Sequence, residues 1–385
     1  MWPLSWFSIA YNVANILTLL FVMRIIEKFT VNFRVYSSLI PSLAIFITIT
    51  ALVKVPIDAN AFFGFIIICV VLSGVAVGFL QNGIFSLSAK FPFPYTAATM
   101  NGQGVAGLAV SLSQILTTLA ASGSEQSEAD IELSAILYFA ISVFVLLLSL
   151  IGYYILRKLP VFRYYHKGRR ERERLAAEAG VKAKQMQADN SLKGQLAVLR
   201  LIWAPAFAVC YNFLVTLAIF PTIIASIASV NAETSDSRIF HDIFVPFAFL
   251  LFNIGDLGGR MAATLIPFPP PRWQFIISLV RTVFFFLFLC CNVVLRDPHG
   301  VPIETSLPIL FGNDYVYWLF ILLFAASNGY LASVCMITAP TIVDSKEKEK
   351  VGTLMITALV LGLSLGSFSS FALRAILCQC DPFSA

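Results

Sequence analysis

The chain reads as an all-α, polytopic membrane helix bundle with about ten transmembrane helices. Three observations predict this. The 385 residues are 58% hydrophobic and 12% charged, with a mean hydropathy of +0.84, whereas a soluble domain is about a quarter charged. Apolar runs of roughly 20 residues recur from one end to the other, each long enough to cross a bilayer as a helix. The runs are continuously apolar, not alternating, which argues against the strands of a membrane barrel.

The expected spans are 4–23, 35–53, 61–88, 96–120, 133–156, 197–226, 243–264, 274–295, 315–339 and 352–376. The first run is too long for a signal-peptide core. It follows no basic segment and precedes no small-residue cleavage site, so it is expected to span. One connection is long and hydrophilic and contains FRYYHKGRRERERLAAEAGVKAKQMQ. This segment reads as a solvated tether, helical or partly disordered. It divides the chain into a helical half at 1–156, a basic linker at 157–196 and a second helical half at 197–385, with five spans on each side.

Basic residues set the expected orientation, because cytoplasmic loops carry the excess of Lys and Arg. Placing both termini outside gathers Arg24, Lys28, Arg34, Lys90, the tether, Arg272, Lys346, Lys348 and Lys350 on the inside. The outer connections then hold Lys54, Arg238 and Arg296 beside the acidic SGSEQSEADIE. The net charge of +5 thus belongs to loops near anionic lipid, not to nucleic-acid binding. A plasma membrane and a vacuolar or lysosomal membrane fit equally, and composition is silent on oligomeric state.

Of seven cysteines, five fall in expected spans and read as buried thiols. Cys378 and Cys380 flank Gln379, a weak signal for metal or a disulfide. His166, His241 and His299 lie far apart in expected loops, and the sequence has no Asn-x-Ser/Thr acceptor. No zinc cluster, nucleophile–base grouping or phosphate-cradling loop is legible. The chain therefore does not read as an enzyme, and no cofactor is expected.

Polar residues inside the spans carry the chemistry. FNIGDLGGR, 252–260, sits in an apolar run. Asn253, Asp256 and Arg260 are spaced by three and four and form one helical stripe. A charge there costs at least ~2.5 kcal/mol on insertion scales and faces a partner or a wet cavity. The pair is either an internal salt bridge with Arg260 snorkelling to headgroups or a site for a polar solute.

In SGVAVGFLQNG, Gly74 and Gly78 have a close-packing spacing, and Gln81 shares their face. Its amide suits a nucleobase edge or a sugar, or else an interhelical hydrogen bond. In PYTAATMNGQGVAG, Gly102, Gly104, Ala106 and Gly107 let another helix approach, as do Gly255 with Gly259 and Gly362 with Gly366. Lys54 and Arg374 read as snorkelling anchors. Arg281 lies deeper and either pairs with a carboxylate or lines a path. Polar residues thinly spread on glycine-rich membrane helices suit a translocation path better than a catalytic centre.

Taken together, QNGIFSLSAKFPFPYTAATMNGQGVAG, FRYYHK, FNIGDLGGR, FAASNGYLASVCMITAP and GLSLGSFSSFALRAIL resemble the equilibrative nucleoside transporter family, in family order along nearly the whole chain. The resemblance implies a major-facilitator-like bundle of eleven spans with a central cavity and alternating access. It implies nucleosides as solutes, with nucleobases in some members. The family's base-binding glutamine falls on Gln81, and its stripe engaging the sugar falls on Asn253, Asp256 and Arg260. Leu19 and Phe249 match positions that pack apolar surface around the solute. The family's first helix, with its Leu-Pro-Trp-Asn-like motif, is expected to be missing, with the chain read as starting near the family's second helix. Two alternatives remain beside a nucleoside carrier: a major-facilitator carrier for sugars or drugs, and a truncated, non-transporting membrane protein.

Overall fold

The computed structural model describes residues 2–25, 29–53, 55, 58–120, 128–162, 164, 192–266, 268–296, 302–303 and 308–378. Lys28, Lys54, His166, His299, Cys380, most of the basic tether and most of the acidic connection lie outside the described residues. The first half consists of α1 (Trp2–Ile25), α2 (Val31–Leu52), α3 (Ala59–Ser88), α4 (Phe93–Ala120) and α5 (Glu128–Lys158). The second half opens with α6 (Leu192–Leu201), α7 (Trp203–Ile219) and α8 (Thr222–Ala225), then α9 (Phe244–Ala262). It continues with α10 (Pro271–Val280), α11 (Val283–Leu289), α12 (Asp314–Thr338) and α13 (Lys348–Cys378). Among the described residues, the strands are a two-residue ribbon, β1 (Leu295–Arg296) against β2 (Pro302–Ile303).

Seven of these helical segments are long and apolar enough to cross a membrane: Val31–Leu52, Ala61–Ser88, Tyr138–Lys158, Trp203–Ala225, Pro271–Leu289, Asp314–Thr341 and Lys348–Leu377. The protein is a polytopic helical bundle. α1, α4 and α9 pack among these helices, and α9 carries the Asp256 and Arg260 charges that dilute its apolar run.

Local chemistry explains the ends and breaks. Thr30 caps α2, its side chain accepting from Phe33 N, and Asn313 caps α12 by accepting from Tyr315 N. The expected span 197–226 is interrupted at Ile202 and again at Phe220–Pro221. Pro205 and Pro221 each lack the N–H that a continuous helix needs. The expected span 274–295 is broken at Arg281–Thr282, between α10 and α11.

Small residues set the closest crossings. Gly259 of α9 faces the Ala326 carbonyl of α12, and Gly329 of α12 faces the Asp256 carbonyl of α9. A Cβ built on either would come within 2.0 and 1.9 Å of those oxygens, so the two backbones touch. Gly362 and Gly366 seat α13 on α7, against Cys210 O and Leu214 O. Gly74 and Gly78 seat α3 on α1, against Tyr11, Asn15 and Thr18.

The two halves meet along two seams. α4 packs on α9 and α12, while α1 and α3 pack on α13. Gly104 and Gly107 of α4 admit Leu257, Arg260 and Asn253 of α9, and Gly352 of α13 rests on Phe85 of α3. Gly102 departs from expectation: nothing lies within 4 Å of where its Cβ would stand. It points away from the seam because two residues along a helix turn the side chain by more than half a revolution. A buried apolar cluster spans both halves, with Leu19, Phe85 and Met100 from one and Val209, Leu331, Met355 and Leu359 from the other.

Candidate functional site

Asp256 and Arg260 are buried, 5% and 6% exposed. Arg260 Nε donates to Asp256 Oδ2 at 2.7 Å. Asn328 of α12 donates its Nδ2 to Asp256 Oδ1 at 2.6 Å. The same guanidinium crosses the seam: Nη1 donates to Met100 O at 3.0 Å and to Gln103 Oε1 at 3.2 Å, both on α4. A carboxylate on α9 thus orients a cation whose Nη1 grips α4. Arg260 Nη2 makes no hydrogen bond among the described residues and is not sealed from solvent.

Asn253, one turn earlier, donates Nδ2 to Phe249 O at 2.9 Å, and its Oδ1 lies in the space beside Gly107. Asn253 is half-buried, so the stripe runs from a wetter end at Asn253 to a drier end at Arg260. Phe249 is also half-buried and lies over Phe220, ring centroids 4.9 Å apart.

On the first half, Gln81 faces α1. Asn15 approaches it with Nδ2 3.5 Å from Gln81 Oε1. Asn15 is 3% exposed and its Oδ1 has no partner among the described residues. A buried amide oxygen without a donor costs about 1–3 kcal/mol, so its presence there needs a reason. Gln81 Nε2 has no partner among the described residues either. Leu19, one turn on from Asn15, is fully buried in the cluster that also holds Met100, the residue whose carbonyl receives Arg260.

Several polar residues here gave little signal in the sequence. Asn15, Gln103, Asn212 and Asn328 are amides inside expected spans. Only a partner distant in sequence distinguishes them from ordinary interhelical hydrogen bonds. The i, i+4 spacing of Asp256 and Arg260 needed no such partner.

At the end of the bundle carrying most of the basic residues, three charges join the halves. Glu349 of α13 accepts from Arg34 of α2 at 2.7 Å and from Lys90, between α3 and α4, at 2.5 Å. Arg34 also donates to Asn82 Oδ1 and to Ser86 Oγ, and Asn82 Nδ2 reaches Thr353 Oγ1 at 3.1 Å. At the opposite end Arg238 donates to Thr118 O of α4 at 3.1 Å and pairs with Asp242. Among the described residues no three His, Cys, Asp or Glu side chains gather as a metal site would need.

The nucleoside transporter family profile matches residues 66–375. The chain is 34% identical to equilibrative nucleoside transporter 1 of Rattus norvegicus over 371 residues, which is 91% of this chain and 78% of that protein. It is 34% identical to equilibrative nucleoside transporter 1 of Homo sapiens, covering 91% and 77% of the two chains. It is 32% identical to human equilibrative nucleoside transporter 2, covering 89% and 79%. A helical bundle with polar groups spread across two halves, matched over this length, is a transporter and not an enzyme: the chain belongs to the equilibrative nucleoside transporter family.

Proposed function

We propose that the chain carries nucleosides across its membrane down their gradient, by alternating access between its two helical halves, 1–156 and 197–385. The observation that carries the reading is the division of free polar atoms across the seam. Arg260 Nη2 on α9 is left without a partner among the described residues, as are Gln81 Nε2 on α3 and Asn15 Oδ1 on α1. A nucleoside offers ribose hydroxyls at one end and a donor–acceptor base edge at the other. Arg260 supplies a donor to the ribose, with Asp256 holding the guanidinium in place. Gln81 and Asn15 together supply one donor and one acceptor to the base. Asn253 faces the solute from the wetter end of the stripe, and Phe249 and Leu19 provide apolar walls.

The charged contacts at the basic end support a conformation closed on that side. The positive-inside rule makes that side cytoplasmic, together with the linker 157–196. Solute binding then favours the state in which both halves contact it, and release follows when the Arg34–Glu349–Lys90 contacts part.

The test is uptake of labelled uridine and adenosine into proteoliposomes, with unlabelled nucleobases and hexoses as competitors. Saturable, gradient-driven uptake blocked by nucleosides and not by hexoses is expected. Uptake blocked by hexoses would assign a sugar carrier, and absence of uptake by the folded protein would sink the reading.

A further inference from the structure

Arg281 is 2% exposed, and among the described residues no carboxylate lies within ion-pair distance of it. It sits at the break between α10 and α11, and helix discontinuities in membrane carriers point polar groups toward a site. Each of its three nitrogens donates. Nε reaches Ser327 Oγ at 3.1 Å, Nη2 reaches Phe324 O at 3.1 Å, and Nη1 reaches Thr216 Oγ1 at 3.1 Å and Asn212 O at 3.0 Å. Nη1 also donates to Asn212 Oδ1. The guanidinium lies over the Phe324 ring, 4.8 Å from its centroid.

The bond to Asn212 Oδ1 begins a chain. Asn212 Nδ2 donates to Asn328 Oδ1 at 2.8 Å, and Thr216 Oγ1 lies 2.8 Å from the same oxygen. Asn328 Nδ2 donates to Asp256 Oδ1 at 2.6 Å. Asn212, Thr216 and Asn328 are all buried. An amide can sit either way round, and only its partners fix which end is the acceptor. A cation against Asn212 Oδ1 fixes the first amide. Its NH2 then fixes the second, whose own NH2 must face the carboxylate. Reverse either amide and an oxygen meets the Asp256 oxygen, or a donor meets the guanidinium.

We propose that Arg281 is a positioning residue for the solute site: through Asn212 and Asn328 it orients the hydrogen bond that holds Asp256, and so the Arg260 guanidinium that Asp256 aims. This rests on the proposed nucleoside site for its consequence, while the relay itself stands on the geometry. Arg281 touches no solute. Its contribution appears in how tightly solute is held, because a loosened Asp256 lets Arg260 leave its bound geometry.

Two measurements separate the relay from the site. The first is a solute-free thermal melt of the purified full chain, comparing Arg281→Met, Asn328→Ala and the double substitution. One relay cut at two places gives a double substitution whose loss falls short of the sum of the two single losses. Additive losses overturn the relay. The second is uridine uptake in proteoliposomes. Arg281→Met raises KM about tenfold, the loss of one oriented buried hydrogen bond, with Vmax per folded protein within about twofold. Arg281→Lys keeps a cation but loses the planar fork that bonds Asn212, Ser327 and Phe324 together, so it recovers only part of the KM rise. A Vmax loss with unchanged KM marks a packing role and overturns the proposal. If Arg281→Met does not fold, Asn212→Leu cuts the chain while leaving Arg281 its bonds to Ser327 and Phe324. It carries the same expected KM rise, and an unchanged KM rejects the relay. Non-additive melts alongside a wild-type protein that takes up no nucleoside leave the relay intact and remove the solute reading instead.

Discussion

Glu349 of α13 and Arg34 of α2, 315 residues apart, pair at 2.7 Å across the seam between the halves. The Arg34 side chain is 1% exposed and that of Glu349 16%, so this is a buried cation held by one carboxylate that Lys90 shares. Removing one partner of such a pair leaves a charge with no compensation, typically costing 3–5 kcal/mol. Glu349→Gln is therefore expected to lower the melting temperature in detergent by roughly 5 °C or more. Arg34→Met combined with Glu349→Gln recovers part of that loss, because the stranded cation is gone. A double substitution less stable than Glu349→Gln alone would count against the pairing.

Asp256 and Arg260 have no substitute for each other within α9. Asp256→Ala strands two donors, Arg260 Nε and Asn328 Nδ2. Arg260→Ala removes both bonds to α4 and leaves Asp256 with Asn328 alone. Each is expected to abolish nucleoside uptake in proteoliposomes while the protein still reaches the membrane. Uptake unaffected by either change rules out a solute role for the stripe.

Gln81 and Asn15 are assigned to the base, so their loss should redistribute preference rather than silence transport. Gln81→Ala is expected to change the ratio of purine to pyrimidine nucleoside KM by about tenfold, the value of one buried hydrogen bond. Asn15→Leu removes the unpartnered acceptor and is expected to move the same ratio while leaving the melting temperature level or higher. Equal losses for every solute that track protein level would mean the two amides are packing contacts.

How far these residues were legible follows from the range of their interactions. The stripe in α9 was readable because a helix brings positions three and four apart together, and charges in an apolar run need a reason. The glycine crossings were readable as a pattern but not in direction. Gly104 and Gly107 face α9, whereas Gly102 faces open space. Arg281 was visible as a deep cation, yet its bonds go to amide, hydroxyl and carbonyl groups on other helices. No local rule could supply those partners. The Arg34, Asn82, Glu349 and Thr353 contacts join residues more than 250 positions apart at their extremes, where sequence periodicity carries no information. The breaks at Ile202 and Phe220–Pro221 fall beside prolines whose effect a hydropathy window averages away.

At the end away from the basic residues, Arg238 links Thr118 O to Asp242. The hydrogen bond from Arg238 holds the Asp242 carboxyl below the usual carboxylate range. A depressed carboxyl contributes above its unfolded value, about 3.9, and its contribution is lost as pH falls through the lower folded value. The clasp therefore stays ionised from pH 8 to pH 5. Uptake by Asp242→Asn should trace the same pH profile as wild type across that window. A profile that diverges between pH 5 and pH 7 would show that the carboxyl titrates there.

Among the described glycines, Gly259 and Gly329 sit nearest to facing backbone. A Cβ at Gly259 would lie 2.0 Å from Ala326 O, and one at Gly329 would lie 1.9 Å from Asp256 O. Backbone cannot yield as a side chain tip does, so α9 must move off α12. That motion would separate Asn328 from Asp256. Overpacking of this kind costs about 1–3 kcal/mol, and more where nothing flexible can give way. Gly259→Ala and Gly329→Ala are each expected to lower the melting temperature by several degrees and to raise nucleoside KM, while Gly102→Ala, with open space at its Cβ, leaves both unchanged. Melts and uptake on the three variants check this. A Gly329→Ala protein with wild-type stability and KM would mean that the α9–α12 contact does not set the position of the Asp256 carboxylate.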